Sequence, residues 1–222
     1  MKLSIPQVDL VIDCEPDVFC SVIIENQSKL YEILCDIKQQ IDGTDGKIVL
    51  SEDNKVLNVS KHMELLMQFI PFELNKKILV NKMIAYFRQV ATDEQHYCET
   101  NEMLAMLESY LLKLSIELTG NLKFTKMGLD AILKAIGIEF EDDYESLAEN
   151  LIDYFELVRE YDKEKLFITV NLRSFVSYDE ICKFVKDIIE RGYQVVMIEN
   201  AEYPILANEK RYIIDENLCV IC

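Results

Sequence analysis

"KLFITVNLRSFVSYDEICKFVKDIIERGYQVVMIEN", residues 165–200, sets two apolar runs on either side of one amphipathic segment. "KLFITVN" and "YQVVMIEN" read as strands, each apolar without alternation, as strands buried on both faces are. "SYDEICKFVKDIIERG" between them reads as a helix, with Ser177 as its cap and Glu180 three residues on completing a capping box. Strand, helix and strand within ~30 residues make a right-handed parallel crossover.

Working outward, "RYIID" (211–215) and "LCVIC" (218–222) read as short edge strands, joined as a hairpin around Asp215-Glu216-Asn217. Toward the N-terminus, "DVFCSVIIEN" (17–26) suits another strand buried on both faces. It runs into a helix whose stripe is Leu30, Ile33, Leu34, Ile37 and Ile41, with Asn26 or Ser28 as cap and Gly43 past its end. "GKIVLSED" (46–53) then supplies the next strand of that parallel unit.

The middle of the chain follows a different period. From about residue 60 to 160, Leu65, Leu66 and Phe69, then Ile78, Leu79, Met83 and Phe87, then Met103, Met106, Leu107, Tyr110, Leu111 and Leu114 recur at helical spacing. Met63, Met67, Met83, Met103 and Met106 sit on these stripes and read as core filling. "MGLDAILKAIG" (127–137) and "YESLAENLIDYFELVREY" (144–161) add two more helices. The fold class expected is α/β: a parallel-sheet head, residues 1–59 plus 160–222, with an inserted all-helical leg, residues 60–159.

Composition narrows the function without choosing it. Twenty-three Lys and Arg face 40 Asp and Glu, a formal net charge of −17. Taken alone this argues against a nucleic-acid partner, because phosphate binding needs cations to replace counterions, but a focused basic groove on an acidic body remains compatible with it. No run reaches the ~18 to 20 apolar residues of a membrane helix, and "MKLSIPQVDL" lacks a signal core, so a cytoplasmic protein is expected, with no membrane partner. The seven cysteines are odd in number and scattered, as free thiols are. Cys219 and Cys222 have half the spacing of a zinc knuckle and no second half.

Nucleotide chemistry lacks both of its ends. A phosphate loop needs glycines after the first strand, and none occurs between residues 1 and 42; Lys29, in the following helix, reads as a solvated lysine. At the end of "LFITV", Asn171 stands where a magnesium carboxylate would. His62 and His96 have no partners at metal-ligand spacing, and no Gly-x-Ser-x-Gly elbow exists. "EFEDDYE" (139–145) places Glu139, Glu141, Asp142 and Asp143 together; it reads as a solvated acidic loop, with a calcium site as the alternative.

Lys134-Ala135-Ile136-Gly137, Asn171, Ser174-Phe175-Val176-Ser177, Asp179-Glu180 and Glu199 together resemble the C-terminal half of a known family. It is the small CRISPR-associated protein family of type II-A systems, required for acquiring new spacers. The resemblance covers about residues 130–200 and, more weakly, the order of elements before them. It implies a head like a P-loop ATPase core that dispenses with nucleotide, no enzymatic activity, and a homotetrameric ring that binds double-stranded DNA ends through a lysine-lined hole. It also implies partnership with the CRISPR integrase and effector nuclease complexes. The family holds calcium through carboxylates just before its Lys-Ala-hydrophobic-Gly helix, whereas "GNLKFTKMG" (120–128) has none, so those ligands do not carry over.

Lys123, Lys126 and Lys134 are the first candidates for the hole, each against the reading of an ordinary solvated lysine. Arg173 is the second, since ligands of parallel sheets sit beyond the carboxyl ends of the strands; its alternative is a salt bridge. Lys76, Lys77 and Lys82 come third. The rival of a different class is a degenerate nucleotide- or metal-dependent enzyme of the P-loop-like class.

Overall fold

The apolar runs form the middle of a six-stranded sheet in the computed structural model, which describes residues 1–15, 17–117, 128–141, 146–162 and 164–221. The chain divides into two compact units. The first, residues 1–73 and 143–222, begins with β1 (Lys2–Ile5), β2 (Leu10–Asp13), β3 (Phe19–Ile24), α1 (Gln27–Ile41), β4 (Val49–Glu52), β5 (Lys55–Leu57), α2 (Val59–His62) and β6 (Met63–Leu66). The second, residues 74–142, holds α3 (Lys77–Ala91), α4 (Tyr97–Leu114) and α5 (Leu129–Ile136). The chain then returns to the first unit with α6 (Leu147–Tyr161), β7 (Leu166–Val170), α7 (Tyr178–Glu190), β8 (Gln194–Glu199), β9 (Glu209–Ile214) and β10 (Val220–Ile221).

In the large sheet the strand order is β10-β9-β3-β8-β7-β6, parallel throughout except for β10 against β9. Every residue of β3, β7 and β8 is buried, which is why their sequences do not alternate. On one face Val22, Ile24, Ile168, Val196, Ile198 and Ile214 share a cluster with Ile33 and Ile37 of α1. On the other, Phe155 of α6 stacks on Phe167 at 4.0 Å between ring centroids and meets Phe184 of α7 at 6.1 Å and Tyr193 at 5.6 Å.

Four expectations from the sequence are corrected. The strand within residues 46–53 is β4, and it belongs to a separate antiparallel sheet, β2-β1-β4-β5, rather than to the parallel one. Its Leu50 joins Leu3, Ile5 and Ile12 in the same core cluster as α1. Leu65 and Leu66 lie not on a helix but in β6, which pairs with β7 as the sheet's edge; a four-residue run is too short for period to decide, and pairing decides instead. With β6 and α6 both in the first unit, the helical excursion spans 74–142 rather than 60–159. Finally, Met63 and Met83 are core residues as expected, but Met67, Met103 and Met106 are exposed.

Local sequence fixes the element ends. Ser177 Oγ accepts from the Glu180 N–H while the Glu180 carboxylate accepts from the Ser177 N–H, the reciprocal box that starts α7. Ser177→Ala is expected to lower the unfolding free energy by about 1 kcal/mol, read by urea denaturation. Gly137 ends α5 at φ 72°, a left-handed conformation that glycine adopts without strain.

The helical unit is thinly packed. α3 buries Leu79, Met83 and Ile84, while α4 and α5 bury no residue. Asn75 brackets Phe140 by donating to its carbonyl at 2.9 Å and accepting from its N–H at 2.7 Å, and Arg88 of α3 meets Asp130 of α5 at 3.3 Å. Met103, Met106, Tyr110 and Leu114 leave an apolar stripe exposed along α4. Among the described residues, no helix is long and apolar enough to cross a membrane.

Candidate functional site

Two regions carry the residues singled out by sequence: the carboxyl ends of β7 and β8 in the first unit, and α3 with α5 in the second. At the strand ends, Asn171 takes a left-handed conformation, φ 54° and ψ 31°. Asparagine is among the few residues with a side chain that tolerate it. Its backbone N–H donates to the Ile198 carbonyl at 2.9 Å, and its Oδ1 accepts from the Asn200 N–H at 3.0 Å. The amide thus joins the ends of two neighbouring strands, a role in which its oxygen is committed to the backbone.

Arg173 is the sequence candidate that the structure redirects. Its side chain is only 4% exposed, against 0% for that of Glu209, and the two approach at 3.9 Å. The guanidinium also donates to the Pro204 carbonyl at 2.7 Å and lies 4.8 Å from the centroid of the Tyr203 ring. It is a salt-bridged structural cation, not one presented to a ligand. Glu209 in turn accepts from Ser21 Oγ, from Arg211 and from the Leu206 N–H, and these bonds hold its carboxyl below its ordinary pKa against the opposing effect of burial. Glu199, at the end of β8, shows the reverse. Burial pushes its pKa up to about 7, although its Oε1 accepts from the Arg173 N–H at 3.2 Å.

Elsewhere in this unit, Lys29 pairs with Glu32 at 2.6 Å, as a surface helix lysine does. Cys14, Cys20, Cys35, Cys98, Cys182 and Cys219 are free thiols, and Cys222 lies outside the described residues.

The helical unit has a different electrostatic character. Residues 74–142 contain eight Lys and Arg against ten Asp and Glu, leaving 15 against 30 for the rest of the chain, so nearly all of the net negative charge sits on the α/β unit. α3 itself contains Lys77, Lys82 and Arg88 and no carboxylate, and Lys76 is its N-cap. Lys77 is exposed at the helix start, where the unpaired N–H groups add positive potential. Lys134, in the last turn of α5, is exposed as well. The signal for α3 is legible in sequence as a fifteen-residue stretch without Asp or Glu in an acidic chain. Lys123 and Lys126 lie outside the described residues.

Of the acidic loop, Glu139 and Glu141 are exposed, while Asp142 and Asp143 lie outside the described residues. Among the described residues, no three His, Cys, Asp or Glu side chains converge as a metal site would require.

Comparison with known proteins bears on the whole arrangement. The family model described as CRISPR-associated protein (Cas_Csn2) matches residues 40–218. The CRISPR-associated protein Csn2 of Enterococcus faecalis is 28% identical over 86 residues, which cover 39% of this chain and 38% of that protein. The chain thus spans well under half the length of this curated relative in the match. The crystal structure of Stu0660 of Streptococcus thermophilus superposes with a TM-score of 0.55 at 14% identity, over 91% of this chain and 69% of that one, a likeness of fold.

Proposed function

Because the chain belongs to the Cas_Csn2 family of CRISPR-associated proteins, we propose that it is a non-enzymatic protein that binds double-stranded DNA ends as a homotetrameric ring in support of spacer acquisition. The observation that carries this reading is the partition of charge: a carboxylate-free, lysine-bearing α3 belongs to a nearly neutral helical unit, while the α/β unit holds the acid. Cations gathered on one element attract phosphates although the chain as a whole is anionic, and the acidic remainder suppresses non-specific binding. Lys76, Lys77, Lys82 and Lys134 are the described contacts, and Lys123 and Lys126 extend the same unit.

The exposed apolar stripe of α4 supports assembly, since a helix with no buried residue in the single chain gains by packing against another copy. In this reading the α/β unit keeps the parallel frame of a P-loop-like core and dispenses with nucleotide. Asn171 and Arg173 are tied to the protein itself where such an enzyme would hold its ligand. Calcium, the CRISPR integrase and the effector nuclease complexes enter as family-level partners.

The test is a gel shift of linear against closed circular duplex, run beside an ATP turnover assay and light scattering. The expected outcome is retention of linear duplex only, no turnover, and a particle of four chains. Equal retention of both duplexes refutes end binding, and turnover supports the degenerate enzyme.

A further inference from the structure

α4 carries two apolar stripes, and the single chain uses one of them. Thr100, Leu104, Leu107 and Leu111 follow one another at helical spacing and are partly buried. Met103, Met106, Tyr110 and Leu114 form the second stripe, about a quarter turn away around the helix. All four are exposed, Met106 at 68% and Tyr110 at 57%.

The charges beside this second stripe are sorted along the helix. Glu99 and Glu102 border it at the N-terminal end and Lys113 at the C-terminal end, each one turn from a member of the stripe, and all three are exposed. At 1.5 Å per residue Lys113 lies roughly 21 Å from Glu99 and roughly 17 Å from Glu102, too far to pair within one helix. Among the described residues none of the three has an ion-pair partner. Glu99 in the first turn and Lys113 in the last also suit the dipole of their own helix, but that role asks for no second copy.

We propose that α4 pairs antiparallel with α4 of a second copy of this chain, through the exposed stripe, with Lys113 of each copy against Glu102 and Glu99 of the other. The pairing rests on the assembly proposed above and names its surface. With the two-fold axis midway between Met106 and Tyr110, each Met106 faces Tyr110 of the second copy. The same axis sets Lys113 opposite Met103 of the second copy, beside its Glu102 and one turn from its Glu99. A parallel pair would instead set carboxylates against carboxylates and lysine against lysine. The apolar stripe supplies the driving force, and the rim charges decide the orientation. Such a contact is isologous and joins two chains, so a particle of four needs a second, different contact.

The experiment is light scattering of the full chain at low salt, where rim charges are least screened, with circular dichroism as the check on folding. Met106→Glu with Tyr110→Glu is expected to at least halve the wild-type particle mass. Glu99→Lys with Glu102→Lys is expected to do the same, and so is Lys113→Glu. The triple variant Glu99→Lys, Glu102→Lys, Lys113→Glu is expected to regain the wild-type mass, because the antiparallel ion pairs return with their signs exchanged although each charge now opposes its own helix dipole. A triple variant that stays dissociated overturns the antiparallel register. A multimeric wild type whose mass survives every substitution overturns the α4 contact and leaves the ring reading standing, whereas a wild type of one chain overturns both. If Met106→Glu with Tyr110→Glu fails to fold, the charge variants, all at exposed positions, decide.

Discussion

Arg173→Ala is expected to destabilise the α/β unit by about 1–3 kcal/mol in urea denaturation followed by circular dichroism. The loss comes from what the substitution leaves behind. The Glu209 side chain is fully buried; without the more distant Arg173 charge its carboxylate keeps Arg211, Ser21 and the Leu206 N–H, while the Pro204 carbonyl loses its donor. Arg173→Met, which keeps the apolar stem, is expected to lose nearly as much, since the missing quantity is charge rather than volume. Arg173→Met combined with Glu209→Gln is expected to recover none of it, because Arg211, 2.8 Å from Glu209, then loses its own carboxylate. Lys77→Ala, at an exposed position, is expected to stay within about 0.5 kcal/mol of wild type. An Arg173→Ala protein of unchanged stability but weakened DNA affinity would return Arg173 to the list of phosphate contacts.

The contrast between these two cations shows where the sequence is legible. Residues 165–200 declare their fold locally: two unbroken apolar runs need two covered faces, and Ser177 with Glu180 marks the helix between them, so strand, cap and crossover all appear as read. The small antiparallel sheet shows in the alternation of Leu3 with Ile5 and of Leu10 with Ile12, but its partner strand β4 lies more than thirty residues away, and nothing local separates β4 from a strand of the larger sheet. β6 shows the opposite limit, since four residues carry no period and only pairing with β7 defines them. Charge is harder still. Arg173 and Lys77 are both single cations next to an element end, and only burial against Glu209, over a hundred residues from Lys77 and 36 from Arg173, separates a structural ion from an exposed one. By position along the chain, Asn171 stands where a magnesium carboxylate would. Its left-handed backbone and its bond to Asn200 give it a positive reason to be asparagine, which no spacing argument supplies.

Reversing Lys76, Lys77 and Lys82 to Glu is expected to lower affinity for linear duplex on the order of a hundredfold or more near 0.1 M salt, with the slope of log affinity against log salt reduced by about 3. Each lysine that neutralises a phosphate releases roughly one counterion, so the slope counts contacts while the affinity measures their sum. The three residues lie at the N-terminal end of the one described helix that carries several cations and no carboxylate, where the helix dipole acts in the same direction. Replacing them with Gln removes the charge without adding repulsion. It is expected to give the same change in slope and a smaller loss of affinity, which separates lost contacts from new electrostatic conflict. The control lies on the acidic unit: Lys183→Glu with Lys186→Glu makes the chain more negative through two exposed positions of α7 and is expected to leave the slope unchanged. If both sets weaken binding in proportion to the charge they remove, the duplex responds to the net charge of the chain and not to a surface on α3, and the placement of the contacts in the helical unit fails even where DNA binding itself survives.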